Sequence, residues 1–85
     1  MNIDTTGIEK TLIKLKRKDP NLFRAVQRKI NQIALLDKES IKHFKNLRGN
    51  LSNYKRVHVG SFVLMFKVEN HTIIFDKFRH HDEAY

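Results

Sequence analysis

The groups best able to move protons in this chain stand together in Arg79-His80-His81-Asp82-Glu83-Ala84-Tyr85, where a guanidinium, two imidazoles, two carboxylates and a phenol follow a strand-like run. Imidazole titrates near neutral pH, so it can take a proton in one step and return it in the next. A second constellation lies in Tyr54 to Val59, whose alternation sets Val57 and Val59 on one side and Arg56 and His58 on the other. If both stretches share a sheet, the exit of the last strand brings His80 or His81, together with Tyr85, towards Arg56 and His58. Such a site holds a phosphate with Arg56 and Arg79 and offers at least two histidines for acid-base work. His80, His81 and Asp82 do not read as a metal set, because adjacent histidines in extended chain point apart and no third ligand has a telling spacing. His43 and His71 read as loop residues, and Lys67 and Lys77 as solvated strand positions.

Something must hold these groups in place, and the patterning says what. Asn2 to Thr5 gives at most a very short edge strand. Thr6-Gly7-Ile8-Glu9 fits a capping box, which predicts a helix from about Gly7 to Lys18 with Ile8, Leu12 and Leu15 as its buried stripe. Asp19-Pro20 ends that helix and starts another, since aspartate caps and proline suits the first helical position. Phe23, Val26, Ile30 and Ile33 form the second stripe, widened by Leu22, Ala34 and Leu36. So short a link predicts an antiparallel hairpin. From Asp37 to Asn53 the period fades into a connection anchored by Ile41, Phe44, Leu47 and Leu51, with a turn at Gly49-Asn50. Three strands follow: Tyr54 to Val59, the almost continuously apolar Phe62 to Val68, and Thr72 to Phe78, with Gly60-Ser61 and Glu69-Asn70-His71 between them. The expected fold is α+β, a helix hairpin packed on one face of a twisted antiparallel sheet.

Composition narrows the partners. A chain of 85 residues is one small domain with room for one modest core. Lys and Arg number 17 against 9 Asp and Glu, a net charge of +8, which predicts an acidic partner, nucleic acid before anionic lipid or acidic protein. Cysteine is absent, which removes disulfides and thiolate metal sites. Met1 to Lys18 lacks the apolar block of a signal peptide, and no run approaches the ~20 apolar residues of a membrane span, so a cytoplasmic protein is expected.

Taken in order, the helix hairpin, Phe44-Lys45-Asn46-Leu47-Arg48-Gly49, Tyr54-Lys55-Arg56-Val57-His58-Val59, Phe62-Val63-Leu64-Met65-Phe66 and a terminal basic stretch ending in Tyr85 resemble the RelE/ParE toxin superfamily across nearly the whole chain. His58 with the His81 to Tyr85 ending is most similar to the YafQ-like branch of messenger-RNA interferases. The resemblance implies a single RelE-like, microbial-ribonuclease-type domain over 1–85, with the hairpin at about 7–36, the sheet at about 54–78 and the site segment at 79–85. It implies the toxin of a type II toxin-antitoxin module, partnered by a cognate antitoxin, that cuts mRNA on the ribosome without metal or cofactor. His58 and His81 become the acid-base pair, with Arg56 and Arg79 on the phosphate and Tyr85 stacking on a base or orienting the sugar. Lys45, Arg48, Lys55 and His80 become further RNA contacts. One departure stands out: where RelE-like members carry an arginine after the aromatic that follows the glycine, this chain has Val63. A ParE-like toxin that inhibits gyrase without cleavage, or an inert relative, is the alternative the resemblance leaves open, and a plain RNA- or DNA-binding module is weaker because no stacking platform is evident.

Overall fold

Asp19 starts the longer helix as its chemistry predicts: in the computed structural model, which describes residues 1–44 and 53–84, its carboxylate accepts from the Leu22 amide at 3.1 Å, and Pro20 fills the first helical position. Helix α1 (Glu9–Lys18) and helix α2 (Pro20–Ala34) therefore meet through one residue and pack together as the expected hairpin. Entry into α1 differs from expectation. Thr6–Ile8 forms a 3-10 turn, and no side chain caps α1; instead the Asp4 carboxylate accepts from the Thr6 amide at 2.9 Å, so the capping box is not made. A short helix α3 (Lys38–Ile41), capped by Asp37 through the Ser40 amide at 2.8 Å, lies where a plain connection is expected. Leu47, Leu51 and the Gly49-Asn50 turn fall outside the described residues.

The sheet has four strands: β1 (Asn2–Asp4), β2 (Lys55–Val59), β3 (Phe62–Glu69) and β4 (Thr72–His80), in the order β1-β4-β3-β2. The β2-β3 and β3-β4 pairs are the antiparallel meander read from the alternation. β1 joins β4 in parallel, from Asn2 opposite Thr72 to Asp4 opposite Ile74, which makes the sheet mixed. Two residues turn each hairpin. Gly60 holds φ +59° at the first turn position, and Asn70 and His71 adopt φ 50° and 62°, the doubly positive pattern that two-residue hairpins favour. β4 runs two residues past the expected Phe78, and the chain then turns sharply into one helical turn, α4 (His81–Ala84).

Alternation sorts the sheet into two faces. Val59, Leu64, Phe66, Ile73 and Phe75 face the helices and meet Ile8, Val26, Ile30, Ile33 and Ile41, all buried, in one core. Each such side chain contributes roughly 1.5–3 kcal/mol by leaving water. Phe44 closes the margin, set edge-on against Phe66 at 5.5 Å. A second, smaller cluster lies on the opposite face, where Tyr54, Val63 and Met65 are buried together. Among the described residues no helix is long and apolar enough to cross a membrane.

Candidate active site

On the face away from the helices the strand register builds two rungs. His58 lies opposite Val63, which lies opposite Arg79; one rung along, Arg56 lies opposite Met65 and Met65 opposite Lys77. Val57 and Val59, buried or half-buried on the helix side, fix this orientation, because a one-residue slip would exchange the faces. His81 arrives from the end of β4. Its amide donates to the Ser61 carbonyl at 2.8 Å, which folds α4 back against β3. The His81 ring then lies 5.6 Å, centroid to centroid, from that of His58, with the planes tilted by 34°. At that separation the two rings lie side by side, so both imidazoles border the same patch of the open face. Arg79 is exposed on the same rung as His58 but two strands away, roughly 10 Å at the usual strand spacing.

Not every expected residue joins this group. His80 falls on the other face, edge-on to Phe62 at 5.2 Å, while Phe62 stacks on Phe78 at 5.0 Å. It is thus separated from His58 by the sheet itself, as adjacent strand residues must be. Its Nδ1 accepts from the Asp82 amide at 3.3 Å, and the Asp82 carboxylate stands 3.7 Å from His80 Nδ1 and 3.8 Å from His81 Nδ1. Lys55 also alternates to the helix side, where its ammonium donates to the Phe44 carbonyl at 3.4 Å. Lys45, Arg48 and Tyr85 lie outside the described residues.

Two groups were not expected at the site. His43, read as a loop residue, lines an open depression at the outer edge of β2 with Phe44, Arg56, Val57 and His58. No spacing in the sequence announces this; it follows from the docking of Phe44 on Phe66. Lys67 and Lys77, read as solvated, instead stand over the Tyr54 ring, with ammonium groups 5.1 and 5.9 Å from its centroid. The Tyr54 hydroxyl donates to Asp76 Oδ2 at 2.6 Å. That hydrogen bond, then burial, then the nearby carboxylate charge raise the phenol above its ordinary pKa. Lys67 is likewise raised, first through its hydrogen bond with Tyr54. The sequence does hold a signal for Asp76: a carboxylate that follows the apolar Ile73-Ile74-Phe75 run and stands directly before Lys77 breaks the alternation, and the register shifts beside it, between Met65 and Phe66.

Comparison with known proteins places this arrangement. No family model matches the chain. The toxin candidate RelE4 of Methanocaldococcus jannaschii is 41% identical over 82 residues, covering 93% of this chain and 83% of that protein. A chain in the crystal structure of the toxin-antitoxin complex RelBE2 from Mycobacterium tuberculosis superposes with a TM-score of 0.67 over 93% of this chain and 95% of its own length, at 22% identity, a likeness of fold. With the helix hairpin, the four-stranded sheet and an identity that extends over most of both sequences, the chain belongs to the RelE toxin family.

Proposed function

We propose that this RelE-family protein is the toxin of a type II toxin-antitoxin module and acts as a ribosome-dependent endoribonuclease on mRNA. The observation that carries the reading is the approach of the His58 and His81 rings to 5.6 Å on a basic, open face. One imidazole takes the proton of a ribose 2′-hydroxyl as its oxygen bonds to the adjacent phosphorus. The bond from phosphorus to the 5′-oxygen breaks, and the second residue, as imidazolium, gives that oxygen its proton. The products are a 2′,3′-cyclic phosphate and a 5′-hydroxyl, and each step needs proton carriers and positive charge rather than a metal-bound nucleophile. Arg56 and Arg79 offset the charge that gathers on the phosphorane.

Dependence on the ribosome follows from the openness of the site. His58, Arg79 and His81 are all exposed, so the face alone supplies little of the positioning on which such a reaction depends. A decoding site that presents the mRNA supplies the rest, and places the protein in the cytoplasm. The net charge of +8 suits a cognate antitoxin whose acidic segment wraps the helices and the site and orders on binding. One observation favours a second reading. Val63, fully buried between His58 and Arg79, occupies the place of the family's arginine, which fits a ParE-like toxin that inhibits gyrase without cutting RNA.

Primer extension on a reporter mRNA in a translating extract separates the two. Cuts that require ribosomes and vanish in the His58→Ala/His81→Ala double variant support the interferase. Intact mRNA with unimpaired translation overturns it and makes gyrase supercoiling the next assay.

A further inference from the structure

We infer that Tyr54 and Asp76 form a positioning strut across the open face that sets the distance between His58 and His81. The inference rests on the interferase reading for its consequence in catalysis and on geometry for the strut itself. His58 stands on β2, an edge strand, and His81 follows directly from β4, which is separated from β2 by β3. Their relative placement is therefore transmitted through β3, and the β3-β4 ladder is interrupted by a register shift between Met65 and Phe66. A bulge of this kind bends a strand and loosens its pairing.

The Tyr54-Asp76 bond spans that interruption. Tyr54 immediately precedes β2, its ring is buried with Met65 and Val63, and its hydroxyl reaches past β3 to the carboxylate of Asp76 on β4 at 2.6 Å. Lys67 and Lys77 stand over the ring and hold its plane. Asp76 is fixed from behind as well. Gly7, in the turn that leads into α1, approaches so closely that a Cβ there would lie 2.6 Å from the Asp76 Cβ. The other carboxylate oxygen, Oδ1, is buried without a hydrogen-bond partner among the described residues, so loss of the tyrosine hydroxyl would leave the carboxylate more poorly satisfied still. At the far end of the same strands, the His81 amide is tied to the Ser61 carbonyl. The strut and that bond close a frame around Val63 and Met65, and the two imidazoles stand at one end of it.

The test pairs a distance measurement with kinetics. Tyr54→Phe keeps the ring and removes only the hydroxyl; Asp76→Asn keeps an acceptor and serves as the conservative rescue, with Asp76→Ala as the full removal. The nuclear Overhauser contact between the His58 and His81 rings, assigned in the wild-type protein, is expected to weaken severely in Tyr54→Phe and Asp76→Ala and to persist in Asp76→Asn. In the translating extract kcat should fall by about 10-fold with KM nearly unchanged, the effect of misplacing a group by a fraction of an ångström. An undiminished ring-to-ring contact in Tyr54→Phe overturns the strut, whatever happens to cleavage. If the wild-type protein cuts no RNA, the contact still decides the strut while the interferase reading falls; if it cuts and Tyr54→Phe changes neither contact nor kcat, the strut falls and the interferase stands.

Discussion

The proposed cleavage needs two proton carriers that face each other, and His58 and His81 would meet that condition through quite different means. His58 is aimed by strand alternation, whereas His81 is delivered by a chain reversal pinned at Ser61. Replacing either with alanine should lower the cleavage rate roughly 10²-fold or more, read by single-turnover primer extension. The same exchange at His80 should change it little, because that ring lies against Phe62 on the other face. Alternation made His58 and Arg56 legible before any coordinates, but it could not choose between His80 and His81. That choice depends on where β4 ends, and β4 runs through His80 because its ladder continues to Phe62. The apolar Val63 gains a reason as well. It is the floor on which the open face is built, fully buried between His58 and Arg79, and positive charge is supplied one rung along by Arg56 and Lys77.

At the scale of elements, signals that act within one turn of chain were the readable ones. Asp19-Pro20 caps α2, and Asp19→Ala should cost about 1 kcal/mol in chemical denaturation while Asp19→Asn costs far less. Asp37 does the same for α3, and its carboxyl is held below its ordinary pKa by the Ser40 amide that donates to it. A depressed folded-state pKa contributes stability that is present above the unfolded value near 3.8 and is lost as pH falls through the folded value. Acid titration of stability should therefore be shallower in Asp37→Asn than in the wild type over that window, and equality of the two curves would refute the assignment. The capping box failed for a reason equally local: Asp4 takes the Thr6 amide, and the chain enters α1 through a 3-10 turn instead. What sequence could not show were events set by partners far along the chain, namely the parallel pairing of β1 and the packing of Lys67 and Lys77 against Tyr54.

For the molecule as a whole, one layer of side chains between helices and sheet supplies most of the stability. Phe66 and Phe75 are fully buried and in contact, with ring centroids 5.5 Å apart. Phe66→Ala or Phe75→Ala should cost about 3–5 kcal/mol, a large share of the roughly 5–15 kcal/mol that holds a domain folded. Urea unfolding should show a midpoint far below the wild type, and a small shift would mean that the core can collapse around the loss.

The parallel strand has a consequence in time. Asn2 to Asp4 are synthesised well before their partners Thr72 to Ile74, and among the described residues no pairing in the sheet spans more of the chain. Closing so long a loop is slow and is rewarded late. Until β4 has been made β1 waits as a segment without that partner, and the 3-10 turn behind it cannot bring Gly7 onto Asp76. Nascent chains of this protein thus lack a complete sheet, and with it a complete open face, until β4 has been made and β1 has paired with it.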